Sequence, residues 1–273
     1  MLLLEDQLKI INSIEKNLEI EIKSAGGVKD WEPHYKIKDD NIYVLKISMD
    51  NMDRQKRYDM EKRPLKKIKK KEIRILPNEI SELNNLEELH LSYAFLGDLP
   101  QSMEKLENLK EITINSRVLE NLPNTFGNLP KLESLRLFCE SLKNLPDSMQ
   151  NLKTLKKLLL YDCNSFKEVP ETLSGCSNLE DVMFRGVPIR EIPSFMGKLP
   201  NLKKFSLIKV DIDKIPQVIA EMKVLENFCF RENPLKDKKD QELMREAREL
   251  GSNELFEIFG DGLKYLKDKL SKK

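Results

Sequence analysis

Histidine and cysteine are the side chains most often recruited for acid–base, nucleophilic or metal chemistry near neutral pH. This chain of 273 residues has His34 and His90, and Cys139, Cys163, Cys176 and Cys229. No two cysteines form a C-x-x-C pair, no ligand spacing joins a histidine to a cysteine, and no glycine-rich phosphate loop occurs. The sequence therefore predicts no enzyme, no metal centre and no cofactor. One stretch could do chemistry of another kind. Between Arg54 and Arg74 there are eleven Lys or Arg against Asp59, Glu61 and Glu72, a net charge of +8. Lys66, Lys67, Lys69, Lys70 and Lys71 are its densest part and the candidate anion-binding residues, for a membrane or nucleic acid surface. Such a run is also what a solvated loop looks like.

Outside that run the balance is ordinary. Net charge is +1 for the whole chain, leaving −7 for the rest, so there is no global pull toward nucleic acid or membrane. Charged residues make up 34% of the chain, well above the usual quarter, which suits a shape with much surface for its volume. The opening MLLLEDQ meets acid after too short an apolar run for a signal peptide. No run of about 18 apolar residues occurs, so a cytoplasmic protein with reduced thiols is expected.

The elements that position these residues follow from an odd period. In SLKNLPDSMQNLKTLKKLLLYD, from Ser141 to Asp162, apolar gaps run three, four, three, three, three and two, which fits neither a helix nor a strand throughout. Proline explains it. Pro77, Pro100, Pro123, Pro146, Pro170, Pro193 and Pro216 stand 23 residues apart, with 24 between Pro146 and Pro170. Nine residues after each comes a leucine, from Leu86 to Leu225, that opens L-x-x-L-x-L. The gap of two marks a short strand whose alternate side chains face inward. The gaps of three mark a return path, with proline placed where a 3₁₀ turn begins. Each repeat is one coil of a solenoid, and the coils must stack to bury their leucines.

The unit L-x-x-L-x-L-x-x-x-x-L-x-x-L-P-x-x-apolar-x-x-L resembles the leucine-rich repeat family, in the "LP" subtype of intracellular Ras-group scaffolds and many microbial proteins. The resemblance covers roughly Ile42 to Leu235. It implies an α/β horseshoe with a concave parallel β-sheet, 3₁₀ or short helical segments on the convex side, and protein binding on the concave face. A small GTPase is a partner class that it implies by family alone. The family's ninth position, usually Asn or Cys bonding the next coil's backbone, reads here Ala94, Arg117, Glu140, Cys163, Val187, Val210, Asn233. Most of that ladder is missing, and Arg117 and Glu140 are expected to pair across about 5 Å in its place.

Three segments follow: an N-terminal cap of helix and hairpin strand over 1–41, the solenoid over 42–235 with a basic insertion at 53–72, and a helical cap over 236–273. In the first cap Leu4, Leu8, Ile11 and Leu18 share a helix face, and a hairpin turns at Asp39–Asn41. In the last, Leu243, Ala247 and Leu250 line one helix, and Leu255, Ile258, Phe259, Leu263, Leu266 and Leu270 continue in helical spacing. The insertion is expected to be a mobile loop able to meet Glu88 and Glu111.

In L-x-x-L-x-L the intervening positions face away from the core. The fifth column holds Arg136, Leu159 and Met183, and the seventh holds Phe138, Tyr161, Arg185, Ile208 and Arg231. These eight are the candidate partner-binding residues, an accessible apolar patch ringed by cations, with Lys157 and Lys204 nearby in the third column. The function expected is a non-catalytic protein-interaction scaffold. The alternative is an adaptor docking on an anionic surface through the basic insertion.

Overall fold

The computed structural model describes residues 3–18, 23–24, 34–38, 41–48, 64–254 and 257–272. Helix α1 (Leu4–Leu18) carries Glu5 and Asp6 in its first turn and Lys16 in its last, each favourable to the helix dipole. Its buried stripe is Gln7, Ile10, Ile11, Ile14 and Leu18, whereas Leu4 and Leu8 are only half-buried. The stripe lies one step round from the face predicted because Gln7 turns inward. Its Oε1 accepts the Ile42 backbone N–H at 2.9 Å, tying the helix to the sheet. Strands β1 (Lys23–Ser24), β2 (His34–Lys38) and β3 (Asn41–Ser48) follow, β2 and β3 as an antiparallel pair. The predicted turn residues Asp39 and Asp40, like residues 53–63 of the insertion, lie outside the described residues.

After β4 (Arg74–Ile75) the repeats proper begin. Their strands are β5 (Glu88–Ser92), β7 (Glu111–Ser116), β8 (Ser134–Cys139), β9 (Lys157–Tyr161), β10 (Asp181–Arg185), β11 (Lys204–Ile208) and β12 (Asn227–Arg231). A short β6 (Leu96–Asp98) pairs with β4 apart from the main sheet. From β3 to β12 the main sheet is parallel and follows chain order. Its register aligns equivalent repeat positions, such as Leu135 with Leu158, Leu158 with Val182, and Val182 with Phe205. These fourth and sixth positions, including Leu160, Phe184 and Leu207, are fully buried and form one continuous core.

Each comb proline sits immediately before a 3₁₀ segment and its carbonyl accepts the segment's first hydrogen bond, as Pro123 does from Phe126 at 3.0 Å and Pro146 from Met149 at 3.0 Å. Lacking an N–H of its own, proline costs nothing there, and its fixed φ starts the return path.

Two kinds of coil, one at β7 and β8 and the other from β9 onward, replace the missing ladder. In β7 and β8 the strand runs six residues and the eighth position, not the ninth, turns inward. Ser116 Oγ donates to the Leu96 carbonyl at 2.6 Å and accepts from the N–H groups of Val118 and Leu119 at 3.2 Å each. Cys139 Sγ reaches the Ile114 carbonyl at 3.7 Å. The ninth residues are thereby turned outward, where Arg117 Nε meets Glu140 Oε2 at 2.9 Å, the ion pair expected from sequence. From β9 onward strands stop one residue earlier and the eighth residue is left-handed: Asp162 (φ 50°), Gly186 (64°), Lys209 (53°) and Glu232 (58°). That turn brings the ninth residue in. Cys163 Sγ reaches the Leu137 carbonyl at 3.6 Å, Asn233 Nδ2 donates to Leu207 O at 3.0 Å, and Val187 and Val210 fill the same place with carbon.

At the far end Asp237 caps α2 (Lys238–Leu250), accepting the Lys239 N–H at 2.8 Å, and the buried Asp240 accepts the Ile215 N–H at 3.0 Å. Leu243, Met244 and Ala247 are buried, but Leu250 is exposed. The chain then departs from the helical continuation predicted. Strand β13 (Glu257–Ile258) pairs antiparallel with β12 and covers the sheet edge, placing Ile258 inward and Phe259 in solvent. Leu255 lies outside the described residues. Helix α3 (Gly260–Leu270) buries Leu263, Leu266 and Leu270, and Lys267 Nζ donates to the carbonyls of Met222 at 2.7 Å and Leu225 at 3.3 Å.

Candidate protein-binding surface

The parallel register brings the candidate residues together on one face of the sheet. Arg136 lies beside Leu159, Leu159 beside Met183, Arg185 between Tyr161 and Ile208, and Ile208 beside Arg231. Phe138 and Tyr161 stack with ring centroids 4.4 Å apart and planes 5° from parallel. The β8–β9 pairing ends at Leu137 and Leu160, so these rings extend the contact where the backbone ladder stops. Phe138, Tyr161 and Met183 are half-buried, and Arg185 is exposed.

Two residues of the predicted accessible patch are not accessible. Leu159 is 9% exposed and Ile208 is 7% exposed. Leu159 sits between Arg136 and Met183, and Ile208 between Arg185 and Arg231. Long side chains on both sides cover short branched ones between them. Both therefore act as the floor of the patch.

Charges on this face divide along the chain. Toward the N-terminal coils they are used internally: His90 Nε2 lies 3.4 Å from Glu88 Oε2, and Arg136 Nη1 lies 3.1 Å from Glu111 Oε2. Burial lowers the His90 pKa, against the pull of Glu88. Farther along, burial raises the Asp181 carboxyl, with Lys204 and Lys157 opposing, and burial raises the Tyr161 phenol, with Arg136 and Arg185 opposing. Arg231 meets Glu232 at 3.5 Å.

A further organising feature is the second column of the repeat, not used in predicting the site. It reads Glu87, Lys110, Glu133, Lys156, Glu180, Lys203, Glu226, strictly alternating in sign. Lys110 pairs with Glu87 at 2.8 Å, Lys156 with Glu133 at 2.9 Å and Lys203 with Glu180 at 3.4 Å. Reading that column down the repeats would have found it.

Lys66, Lys67, Lys69, Lys70 and Lys71 are all exposed, on or immediately before two successive 3₁₀ turns, Leu65–Lys67 and Lys70–Glu72. Ile68 packs toward the core between them, and Glu72 accepts the Lys69 N–H at 2.9 Å. This part of the insertion is thus locally folded, in contrast to the mobile loop predicted. Among the described residues none of these lysines pairs with Glu88 or Glu111, whose partners are His90 and Arg136. The residues with catalytic potential are dispersed. The four cysteines are free and buried, and burial pushes the Cys163 and Cys176 thiols up to about 11. No group of His, Cys, Asp and Glu able to hold a metal occurs among the described residues.

A stacked parallel sheet with 3₁₀ returns and terminal helices defines a repeat solenoid. A family model of the leucine-rich repeat region matches residues 64–167. The fold is that of a leucine-rich repeat solenoid. A comparison with curated proteins gives no match. Among solved structures, the PEPR1–AtPEP1 complex aligns over 85% of this chain and 32% of its own, at 19% identity and a TM-score of 0.60. A leucine-rich repeat protein of Leptospira interrogans aligns over 63% of this chain and 55% of its own, at 21% identity and a TM-score of 0.46. Internalin C2 of Listeria monocytogenes aligns over 51% and 59%, at 22% identity and a TM-score of 0.42. The chain thus spans less than two thirds of the length of each, and at these identities the likeness is one of fold. No helix among the described residues is long and apolar enough to cross a membrane.

Proposed function

We propose that this protein is a non-catalytic scaffold that holds a protein partner on the concave face of its sheet, with the terminal helices serving as caps. The observation that carries this reading is the stacked, half-buried Phe138–Tyr161 pair on the same face as Leu159, flanked by Arg136 and Arg185, with Ile208 between Arg185 and Arg231. Aromatic and arginine side chains at the centre of an apolar patch are the usual composition of interaction hot spots. A reducing compartment suits four free buried thiols. A second reading, docking on an anionic surface, is favoured by the five exposed lysines of residues 66–71.

Pull-down from lysate with wild type beside a Phe138→Ala/Tyr161→Ala variant separates the two. Loss of a partner in the variant, retained by wild type at high salt, supports the concave face. Capture that survives in the variant but disappears with rising salt, and with the five lysines replaced by Ser, moves the function to the basic turns.

A further inference from the structure

We infer that the segment seated on this face is an extended acidic polypeptide whose carboxylates meet Lys157, Arg185 and Lys204 while an apolar side chain lies against the Phe138–Tyr161 pair. This rests on the reading that the face binds protein. What carries it is how the molecule spends its charges. The second-column lysines close ion pairs with the preceding coil, Arg117 pairs with Glu140, and on the binding face itself Arg136 pairs with Glu111. Lys157, Arg185 and Lys204 are exposed, lie on three adjacent strands, and close no ion pair among the described residues. Asp181 stands in register between the two lysines, with its carboxyl pKa raised by burial, while Arg185 lies at the far end of the same strand beside Tyr161 and Ile208. The Tyr161 hydroxyl adds a donor with no hydrogen-bond partner among the described residues.

The layout favours spaced carboxylates over a polyphosphate chain. Lys157 and Lys204 are two strands apart, about 10 Å, which is about three residues of extended chain crossing the strands. Asp181 lies between them, and Glu111 stands at the near edge of the patch. These acids repel a uniform polyanion, whereas a polypeptide can place neutral residues over them. The apolar floor offers nothing to a phosphodiester backbone but buries an aromatic or aliphatic anchor.

The test uses the full chain and a displayed library of random peptides. Selection on wild type should enrich Asp or Glu flanking an aromatic or aliphatic residue. The best selected peptide should bind Lys157→Glu/Lys204→Glu about tenfold or more weaker, and selection on Lys157→Glu/Arg185→Glu/Lys204→Glu should enrich Lys and Arg instead. Lys198→Glu/Lys223→Glu, which makes the same charge change as the double variant away from the face, should bind like wild type. Selected peptides without charge bias that are lost in Phe138→Ala/Tyr161→Ala overturn the acidic partner and leave the protein-binding face standing. Acidic peptides equally weakened by the control, or an oligonucleotide that displaces them at matched charge concentration, overturn the inference in favour of a general polyanion surface. Peptides indifferent to every substitution on the face remove both readings.

Discussion

Replacing the eighth residue of a coil with glycine should have opposite signs in the two halves of the solenoid. At Lys209 the backbone is left-handed, with φ 53°. That conformation costs a residue with a Cβ about 1–2 kcal/mol, which Lys209→Gly removes, while glycine's freer unfolded chain takes back about 0.4–1 kcal/mol. A net gain of about 0.5–1 kcal/mol follows. At Ser116 the same substitution removes a buried hydroxyl that donates to Leu96 and accepts from Val118 and Leu119. Stranding those backbone groups costs about 1–3 kcal/mol, and glycine in a strand costs up to about 1 kcal/mol more. Ser116→Gly should therefore lose about 2–3 kcal/mol. Gly186→Ala is the converse of the first: φ is 64° and the new Cβ would run into Asp162 Oδ1, for a loss of about 1–2 kcal/mol. Urea unfolding midpoints read all three, with an unchanged m-value as the check that the transition stays cooperative. Lys209→Gly and Ser116→Gly moving in the same direction would refute the division into two coil types.

Leu158→Asp should abolish cooperative unfolding while Lys157→Asp barely shifts it, because Leu158 is fully buried and its neighbour is exposed; equal shifts by circular dichroism melting would contradict the alignment of repeats. A double-mutant cycle on Arg117 and Glu140, whose side chains are 17% and 33% exposed, should give a coupling of about 0.5–1 kcal/mol, and the charge-swapped pair should recover part of it; zero coupling would leave the contact without energetic meaning. Folding holds the Cys163 and Cys176 thiols protonated up to about 11, above the ordinary 9.0. Their contribution to stability is therefore complete below pH 9 and lost as pH rises toward about 11. A Cys163→Ala/Cys176→Ala protein should show a flatter decline over that window, and a decline parallel to wild type would count against thiol ionisation as its cause.

The proline comb and the L-x-x-L-x-L strands were legible because each rests on one local cause: a missing N–H, or alternation across a strand. Pairing of Arg117 with Glu140 was legible for the same reason, since equivalent positions of stacked coils must be neighbours. The shift of the inward position from nine to eight was not. It depends on whether the chain turns left-handed after the strand, and of Asp162, Gly186, Lys209 and Glu232 only the glycine signals that conformation in its residue type. The burial of Leu159 and Ile208 depends on how long the flanking side chains are, which a column read one residue at a time does not register. The strand at Glu257–Ile258 won over a helical spacing because an unpaired sheet edge at β12 was available to it.

The change of coil and the candidate binding face coincide. Phe138 is the penultimate residue of the last six-residue strand, and Tyr161 ends the five-residue strand that follows it, immediately before left-handed Asp162. At that junction the backbone pairing stops at Leu137 and Leu160, one residue short of the β9–β10 ladder, and the two rings stack in its place. Regular coils on either side use their second-column charges to hold neighbours together, so registry does not depend on the sheet's outer face. The outer face is then free to carry exposed cations and half-buried rings whose removal leaves the core leucines in place. This predicts a physical separation between stability, held by the fourth, sixth and second columns, and recognition, held by the third, fifth and seventh, within strands only five or six residues long.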